Sequence, residues 1–305
     1  MSAHLTYMEA VVVGAFQGVT ELFPVSSLGH AVLVPAVVGG RWAQDLSVSA
    51  PESPYLAFIV GLHVATAAAL LVFFWRDWVR IVAGFVSSLR YRRIQTPDER
   101  LAWLIVGATI PVGLAGLVLE RTFRTTLGKP VPAAIFLVLN GIALYAGEVL
   151  RRRVAPTPDR DQLPEEQREH TGAAVDNRLA QLPLRRGILI GAAQILALLP
   201  GISRSGITMV AGLWRGLSHE DAARFSFLLA TPIILAAGVY KIPELFGPRA
   251  TGIHGQVLAG SIASFVCAYL AVRFLTQYFQ TRTLTPFAVY CAVAGGAGLV
   301  WLAVG

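Results

Sequence analysis

Long apolar stretches separated by short polar segments run through most of this chain. Six of them approach 20 residues in length and hold almost no charge, at positions 55–75, 101–119, 131–150, 222–240, 256–279 and 286–304. An apolar stretch of about 20 residues is long enough to cross a bilayer as a helix. The pattern therefore predicts six membrane-spanning helices. The arginine-rich segment 76–100, between the first two spans, is expected to be partly an interfacial helix.

Two further apolar segments, 8–38 and 187–217, are interrupted near their middle. Polar residues and Pro24 break the first, and the run 200–205 breaks the second. Proline and glycine break helices, and irregular backbone at membrane depth is tolerated only where it is buried in protein or lines a cavity. Each segment is therefore predicted to be a re-entrant hairpin of two half-helices rather than one clean span.

The two broken segments resemble each other in sequence. Each holds a Gly-Ala-X-Gln run, then a proline, then a serine: Gly14 to Gln17, Pro24 and Ser27 in the first, and Gly191 to Gln194, Pro200 and Ser203 in the second. Three spans follow each hairpin, which divides the chain into a first half at 1–150, a charged and solvated connection at 151–186 and a second half at 187–305. A hairpin returns to its own side and three spans then cross, so the second half enters from the opposite face. Such an inverted repeat predicts a binding site at the midplane, where the hairpin tips meet.

Composition agrees with this architecture. The 305 residues are 55% hydrophobic and 14% charged, with a mean hydropathy of +0.60, whereas soluble domains hold roughly 25% charged residues. The fold class is therefore an all-α polytopic membrane protein. The net charge of +7 does not indicate a nucleic-acid partner, because membrane orientation explains basic residues between spans. Most Lys and Arg residues fall on one side, which is predicted to be cytoplasmic, so both termini and the mouth of the first hairpin face outward.

The stretch 200–208 has the composition of an anion site. Ser203, Ser205 and Thr208 supply hydroxyls and Arg204 a permanent charge, at the start of a new half-helix. Helix N-termini and arginine together bind phosphate groups, and an ionisable residue at membrane depth is by default a functional-site hypothesis. The alternative is an ordinary interhelical loop whose arginine extends to the membrane surface.

The first hairpin carries residues suited to catalysis. Gln17 and Glu21 stand four apart, on one helix face; Glu21 can bind a divalent cation, accept a proton or orient a hydroxyl, or simply pair locally. Ser26 and Ser27 follow Pro24, and either can cap the next half-helix. His30 lies three residues beyond Ser27, so the two can form a nucleophile and base pair, unless His30 is a satisfied interior histidine.

Three other polar residues can have either a structural or a functional role. For His63 and Thr66, in the first full span, a structural role is favoured, and Arg224 is expected to anchor a helix end at the cytoplasmic interface.

Two helix N-termini, one arginine and several hydroxyls would hold a phosphate or diphosphate. A phosphate that meets such a site within a bilayer belongs to a lipid phosphate or diphosphate.

The run 17–30, Gln-Gly-Val-Thr-Glu-Leu-Phe-Pro-Val-Ser-Ser-Leu-Gly-His, together with Pro-Gly-Ile-Ser-Arg-Ser-Gly-Ile-Thr at 200–208, resembles the two signature motifs of bacterial undecaprenyl-diphosphate phosphatases of the BacA/UppP family. Segments 62–66 and 224–230 also resemble family segments, and the likeness covers nearly the whole chain apart from 151–183. The resemblance implies hydrolysis of undecaprenyl diphosphate to the monophosphate and inorganic phosphate, recycling of a cell-wall lipid carrier, and bacitracin resistance.

The resemblance also implies roles for individual residues. Glu21 falls on the essential carboxylate of the family, Ser27 on its proposed nucleophile and His30 on its proposed acid and base. The expected substrate-binding residues are Gln17, Ser26, Ser203, Arg204, Ser205 and Thr208. Because Gln17 stands where the family has Glu or Gln, only one carboxylate is left, and a Mg²⁺ or Ca²⁺ ion held mainly by Glu21 and the diphosphate is the expected cofactor.

The sequence also leads to expectations for the cellular location, the oligomeric state and an alternative function. The protein is expected in the bacterial inner membrane, with its active site opening to the periplasmic face and the lipid bilayer as its surroundings. A homodimer is among the open oligomeric states. Inverted repeats with broken helices are also a transporter architecture, so the alternative function is a transporter or flippase of a polyprenyl phosphate.

Overall fold

A computed structural model of the protein describes residues 5–40, 54–154, 172–245 and 252–304, which are almost entirely helical and contain no β-strand. The helices are α1 (Tyr7–Leu22), α2 (Ser27–Val38), α3 (Pro54–Phe73), α4 (Trp75–Tyr91), α5 (Pro97–Leu127), α6 (Pro130–Val154), α7 (Gly172–Ala180), α8 (Leu184–Ala192), α9 (Arg204–Trp214), α10 (His219–Leu245), α11 (His254–Thr281) and α12 (Thr285–Val304). A 3₁₀ segment, Ala193–Leu198, follows α8 directly.

Every predicted span lies on one of these helices. Five helices are long and apolar enough to cross a membrane, namely Pro97–Phe123, Pro130–Arg152, His219–Lys241, His254–Thr281 and Thr285–Val304. Helix α3 is a sixth candidate only together with α4, which it meets at a bend of 86°. The protein is therefore a multi-pass helical membrane protein.

Helix α4 occupies most of the segment that was predicted to be partly interfacial. One of its faces exposes Trp75, Val79, Val82 and Val86, while the same helix carries several arginines. An amphipathic helix that turns sharply away from an apolar span has the character of a helix lying along a membrane surface.

The first broken segment forms two helices joined by a short turn. Helix α1 begins at a capping box, in which Thr6 accepts from the backbone N–H of Glu9 and the Glu9 carboxylate accepts from that of Thr6. Helix α2 begins after Ser26, whose φ of 68° places a non-glycine residue in the left-handed region. Such a backbone costs of order 1–3 kcal/mol and persists only where its surroundings enforce it.

The second broken segment is less regular than the first. Helix α8 starts at Leu184, three residues before the predicted boundary, and tightens into 3₁₀ geometry ahead of Pro200. A residue before proline is excluded from the α-helical region, and Leu199 is accordingly extended, with a ψ of 123°. The chain then turns at Gly201 and enters α9.

Glycines allow close contact between the two halves of the chain. A Cβ added to Gly14 or Gly18 of α1 would overlap the backbone carbonyl of Gly260 or Ser264 in α11. Gly191 of α8 meets the carbonyl of Ala108 in α5 in the same way. Small residues of this kind let membrane helices pack backbone to backbone, which holds each first half-helix firmly against a full span.

The described part of the charged connection is only partly solvated. Helix α6 continues to Val154, and α7 buries Val175, Asp176 and Leu179. Asp176 accepts hydrogen bonds from Arg224 at 2.7 and 2.9 Å. Because its charge is paired there, α7 can be buried; residues 155–171 lie outside the described residues.

Candidate active site

The two turns meet in the interior of the protein. The Ser26 hydroxyl accepts from the backbone N–H groups of Gly29 and Gly201, each at 3.2 Å. The carbonyl of Phe23 accepts from the hydroxyl of Ser205 at 3.1 Å. Ser26, expected to bind substrate, therefore joins the two turns, which lie together as the paired breaks predicted.

Glycine is required on both sides of this contact. A Cβ on Gly29 would lie 2.8 Å from the Cα of Gly201. Gly201 itself has a φ of +116°, and its Cβ would lie 2.5 Å from the carbonyl oxygen of Ala133. The turns can approach this closely only because neither position carries a side chain.

Asn140, which sequence reasoning did not single out, links both turns to α6. Its Nδ2 donates to the carbonyl of Pro24 at 3.1 Å, and its Oδ1 accepts from the backbone N–H of Ser203 at 2.9 Å. The available signal was a lone amide within the apolar stretch 131–150. Buried polar groups need partners, and this one satisfies a backbone group of each turn.

Glu21 is the centre of the polar cluster beside the turns. Its Oε2 accepts from the Ser27 hydroxyl at 2.5 Å and from Gln17 Nε2 at 3.1 Å. Its Oε1 accepts from Arg204 Nη2 at 2.9 Å. Nε2 of His63 lies 3.6 Å from Oε2. A nearly buried carboxylate thus holds a serine hydroxyl from the first hairpin and an arginine from the second.

Arg204 keeps part of its hydrogen-bonding capacity unused. Nη2 binds Glu21, but Nη1 is buried and has no hydrogen-bond partner among the described residues. Buried guanidinium donors are costly to leave unpaired. A donor of this kind beside a serine hydroxyl, in the first turn of α9, suits an anionic ligand such as a phosphate oxygen.

The other predicted phosphate ligands use their hydroxyls to hold the second turn. Ser203 caps α9 by accepting from the N–H of Gly206 at 3.2 Å, and Ser205 binds the carbonyl of Phe23. The Thr208 hydroxyl donates to the carbonyl of Arg204 at 2.7 Å. All three hydroxyl-bearing residues are buried, so in this arrangement they shape the loop around Arg204.

His30 does not pair with Ser27 in the structure. Its Nδ1 lies 2.8 Å from the carbonyl of Ser26, and its Nε2 lies 2.8 Å from the hydroxyl of Tyr290. Since a carbonyl only accepts, Nδ1 carries a proton, and Nε2 is hydrogen-bonded to Tyr290. A spacing of three residues places both side chains on one helix face, but the carbonyl four residues back and a tyrosine of α12 take both ring nitrogens.

His63, for which a structural role was favoured, lies instead at the polar cluster. Thr66 has the expected structural role, with its hydroxyl bonded to the carbonyl of Leu62 and to Ser264. Arg224 stands near the start of α10, as a helix-end anchor would, but it is buried against Asp77 and Asp176.

A cleft between α1, α2 and α3 reaches the cluster. Gln17, Ser27, Tyr55 and His63 are the lining residues with polar groups, and the remaining walls are apolar side chains such as Val13 and Leu28. An apolar passage that ends at a serine hydroxyl fits an amphiphilic ligand, with its chain in the passage and its polar head at the cluster.

The side chains at this site do not fit a resident divalent cation. The part of the chain that the structure describes contains no group of three or more His, Cys, Asp or Glu residues suited to a metal. Glu21 is the only carboxylate of the cluster, and both its oxygens already accept hydrogen bonds. Ca²⁺ and Mg²⁺ need several oxygen ligands, so a cation would have to arrive with the oxygens of its ligand.

A family model described as "Bacitracin resistance protein BacA" matches residues 10–297 of the chain. The chain belongs to the BacA family. A relative from Mycolicibacterium paratuberculosis, named undecaprenyl-diphosphatase, is 86% identical over 99% of both chains. Undecaprenyl-diphosphatase 1 of Frankia casuarinae is 51% identical, covering 97% of this chain and 98% of its own. Undecaprenyl-diphosphatase 2 of Chromobacterium violaceum is 42% identical, covering 96% and 98%. Both signature motifs lie within the region matched by the BacA family.

Proposed function

We propose that this protein hydrolyses undecaprenyl diphosphate to undecaprenyl phosphate and inorganic phosphate, which recycles the lipid carrier of cell-wall synthesis and confers bacitracin resistance. Membership of the BacA family and the names of full-length relatives support this function. One structural observation carries it: the Ser27 hydroxyl donates to Glu21 at 2.5 Å, and the same carboxylate holds Arg204, whose Nη1 is unpaired among the described residues.

The contacts of the cluster support a nucleophilic mechanism. Ser27 Oγ attacks the terminal phosphorus while its proton passes to Glu21 Oε2, which already accepts the hydrogen bond. The bond between that phosphorus and the bridging oxygen breaks, and its electron pair leaves with undecaprenyl phosphate. Water then attacks that phosphorus, the bond to Ser27 Oγ breaks, Glu21 returns the proton to the serine, and a water proton leaves with the inorganic phosphate.

Arg204 is suited to neutralising the charge that develops on the phosphoryl oxygens. Phosphoryl transfer is catalysed mainly by positioning and by electrostatic stabilisation. The guanidinium is held by Glu21 through one nitrogen, which leaves the other to face the phosphate. Gln17 donates to the same carboxylate and keeps it oriented towards Ser27.

The inverted-repeat architecture is also part of the proposal. Helix α1 packs on α11, and α8 packs on α5. These two pairs are equivalent if each half is one re-entrant hairpin followed by three spans. The glycines at 14 and 191, which occupy matching places in the repeated Gly-Ala-X-Gln runs, each meet a backbone carbonyl of the partner span.

Orientation and location follow from the same arrangement. The concentration of Lys and Arg residues between spans on one side supports a cytoplasmic assignment for that side. The cleft between α1, α2 and α3 then opens to the periplasmic face of the inner membrane, where the lipid diphosphate enters from the bilayer.

Phosphate release from undecaprenyl diphosphate by the purified protein in detergent tests the function. We expect release by the wild type and a loss of at least about 10³-fold in Ser27→Ala, because the other serines of the cluster use their hydroxyls to hold the turns. Ser88→Ala, a buried serine of α4 away from the site, is the matched control. No release by the folded wild type, together with movement of the lipid across vesicle membranes, would favour the flippase instead.

A further inference from the structure

Asn140 links the two turns of the site to one membrane-spanning helix. It lies near the middle of α6 and is only 1% exposed. Its Nδ2 donates to the carbonyl of Pro24 in the first turn at 3.1 Å, and its Oδ1 accepts from the backbone N–H of Ser203 in the second turn at 2.9 Å. A single amide side chain therefore satisfies one buried backbone group on each side of the site.

The two bonded backbone groups lie close to the residues that carry the proposed chemistry. Pro24 stands three residues before Ser27, and Ser203 directly precedes Arg204, the first residue of α9. A movement of either turn would change the distance between the serine hydroxyl and the guanidinium group. The hydrogen bonds of Asn140 therefore act on this distance through the backbone.

The side chains of the site form another link between the turns, but this link changes during the reaction. Ser27 donates to Glu21, and Glu21 accepts from Arg204. In the proposed mechanism the carboxylate takes up the serine proton, which weakens its charge-assisted bond to the guanidinium group. The bonds of Asn140 involve no group that gains or loses a proton in that mechanism, so they persist when the side-chain link changes.

The helix that carries Asn140 is held in place by close packing. A Cβ added to the next residue, Gly141, would lie 2.7 Å from the carbonyl oxygen of Ala288 in α12. Nδ2 of Asn140 also donates to Sγ of Cys291 in the same helix at 3.3 Å. Small residues let membrane helices approach closely, so α6 and α12 together give the amide a firm support.

The amide of Asn140 is used in one orientation. Its NH₂ must face the carbonyl of Pro24 and its oxygen the N–H of Ser203, because a carbonyl only accepts and an N–H only donates. A carboxylate cannot donate, and a leucine side chain can do neither. Asn140 is not one of the described residues that line the cleft, so it acts through the turns and not by contact with the ligand.

We propose that Asn140 is a positioning residue of the phosphoryl-transfer site, which sets the separation between the Ser27 hydroxyl and the Arg204 guanidinium group while the terminal phosphorus is attacked. The inference rests on the proposed function. Phosphoryl transfer is catalysed mainly by positioning and electrostatic stabilisation, and a displacement of about 1 Å can cost about 10²-fold in rate. Loss of the amide should therefore lower kcat and leave KM nearly unchanged.

Asn140→Leu tests the proposal, because leucine is similar in size and makes neither hydrogen bond. We expect kcat for phosphate release from undecaprenyl diphosphate to fall by about 10²-fold, with KM within about threefold of the wild type. Thermal midpoints in detergent check that the variant is folded. Thr66→Val is the matched control, since it removes a buried hydrogen bond to Ser264, between two helices and away from the turns. It should lower the midpoint and keep kcat.

Asn140→Asp separates the donor of the amide from its acceptor. Its carboxylate form can accept from Ser203 but has no proton for Pro24, whereas its carboxylic acid form can make both bonds. We expect its kcat, taken relative to the wild type at the same pH, to exceed that of Asn140→Leu and to be highest at about pH 5.5 in a series from about pH 8.5, because acid favours the protonated form.

A folded Asn140→Leu protein whose kcat stays within about threefold of the wild type would overturn the role of Asn140. A relative kcat of Asn140→Asp that is equally low at both ends of the pH series would also overturn it, even if Asn140→Leu does not fold. In either case inactivity of Ser27→Ala in the same assay would leave the proposed function standing. A folded wild type that releases no phosphate would overturn both.

Discussion

Two largely buried arginines, each in the early turns of a helix, have opposite surroundings. Arg224 of α10 donates twice to Asp176, lies 3.0 Å from Asp77 and stacks over the ring of Phe74 at 5.1 Å. Arg204 of α9 has one acidic partner, Glu21, and its Nη1 has no acceptor within the described residues. The fold supplies Arg224 with two carboxylate partners, whereas it supplies Arg204 with a partner for only part of its guanidinium group.

The contrast distinguishes a structural charge from a candidate functional one. Arg224 is paired with two carboxylates and joins α10 to α4 and α7. An arginine with a buried, unused donor costs stability, and for Arg204 this cost is explained if an anion binds there. In the sequence the two arginines look alike. A serine follows Arg204 directly, and a serine lies two residues after Arg224.

Of the two arginines, Arg204 is the one whose replacement, by lysine, should have the larger effect on activity. Lysine keeps the charge beside Glu21 but loses the fork that can bind the carboxylate and a phosphate oxygen together. We expect phosphate release to fall by about 10²–10³-fold, with the thermal midpoint in detergent close to that of the wild type. Activity within tenfold of the wild type would mean that the free Nη1 does not contact the substrate.

Replacing Arg224 with leucine should lower the stability of the protein and leave its specific activity nearly unchanged. It leaves Asp176 buried without its main partner, and breaking a buried ion pair in this way costs about 3–5 kcal/mol. A lower thermal midpoint, with specific activity of the folded fraction near that of the wild type, is the expected result. Arg90→Ala, at an exposed arginine of α4, serves as the control and should shift the midpoint little. A large loss of turnover in folded Arg224→Leu would make the ion network part of the catalytic machinery.

The smallest expected effect concerns cations. Because Glu21 is the only carboxylate that the described residues bring to the site, and it is paired with Arg204, the protein without substrate should show no saturable Ca²⁺ or Mg²⁺ binding below about 1 mM. Calorimetric titration of the purified protein checks this, with Glu21→Gln as the matched variant. Tight binding that disappears in Glu21→Gln would establish a resident metal site and weaken the contrast with Arg224.

Much of the fold could be predicted from the sequence because membrane helices follow from length and hydropathy. All six predicted spans lie on helices, and both broken segments contain a turn beside their proline. The predicted meeting of the two hairpin tips is also found, with Glu21 of the first paired to Arg204 of the second. It followed from pairing two interrupted segments, which needs only the order of spans and breaks along the chain.

The partners of individual side chains could not be predicted in the same way. Helix spacing placed Ser27 and His30 on one face but could not show that Tyr290, 260 residues away, would take the free nitrogen of His30. The same applies to His63 and to Asn140, whose contacts join different helices. Such contacts depend on how helices are rotated against each other, which packing decides.

The amino-acid sequence by itself determined a multi-pass helical protein with two interrupted apolar segments and the residues of a candidate phosphate site, because bilayer thickness and the cost of buried charge constrain sequence directly. Only the tertiary structure decided which imidazole lies beside Glu21, which hydroxyls hold the turns and which arginine keeps a donor without a partner among the described residues. Those outcomes depend on distances of a few ångströms between helices that are far apart in sequence, and close packing at glycines sets those distances.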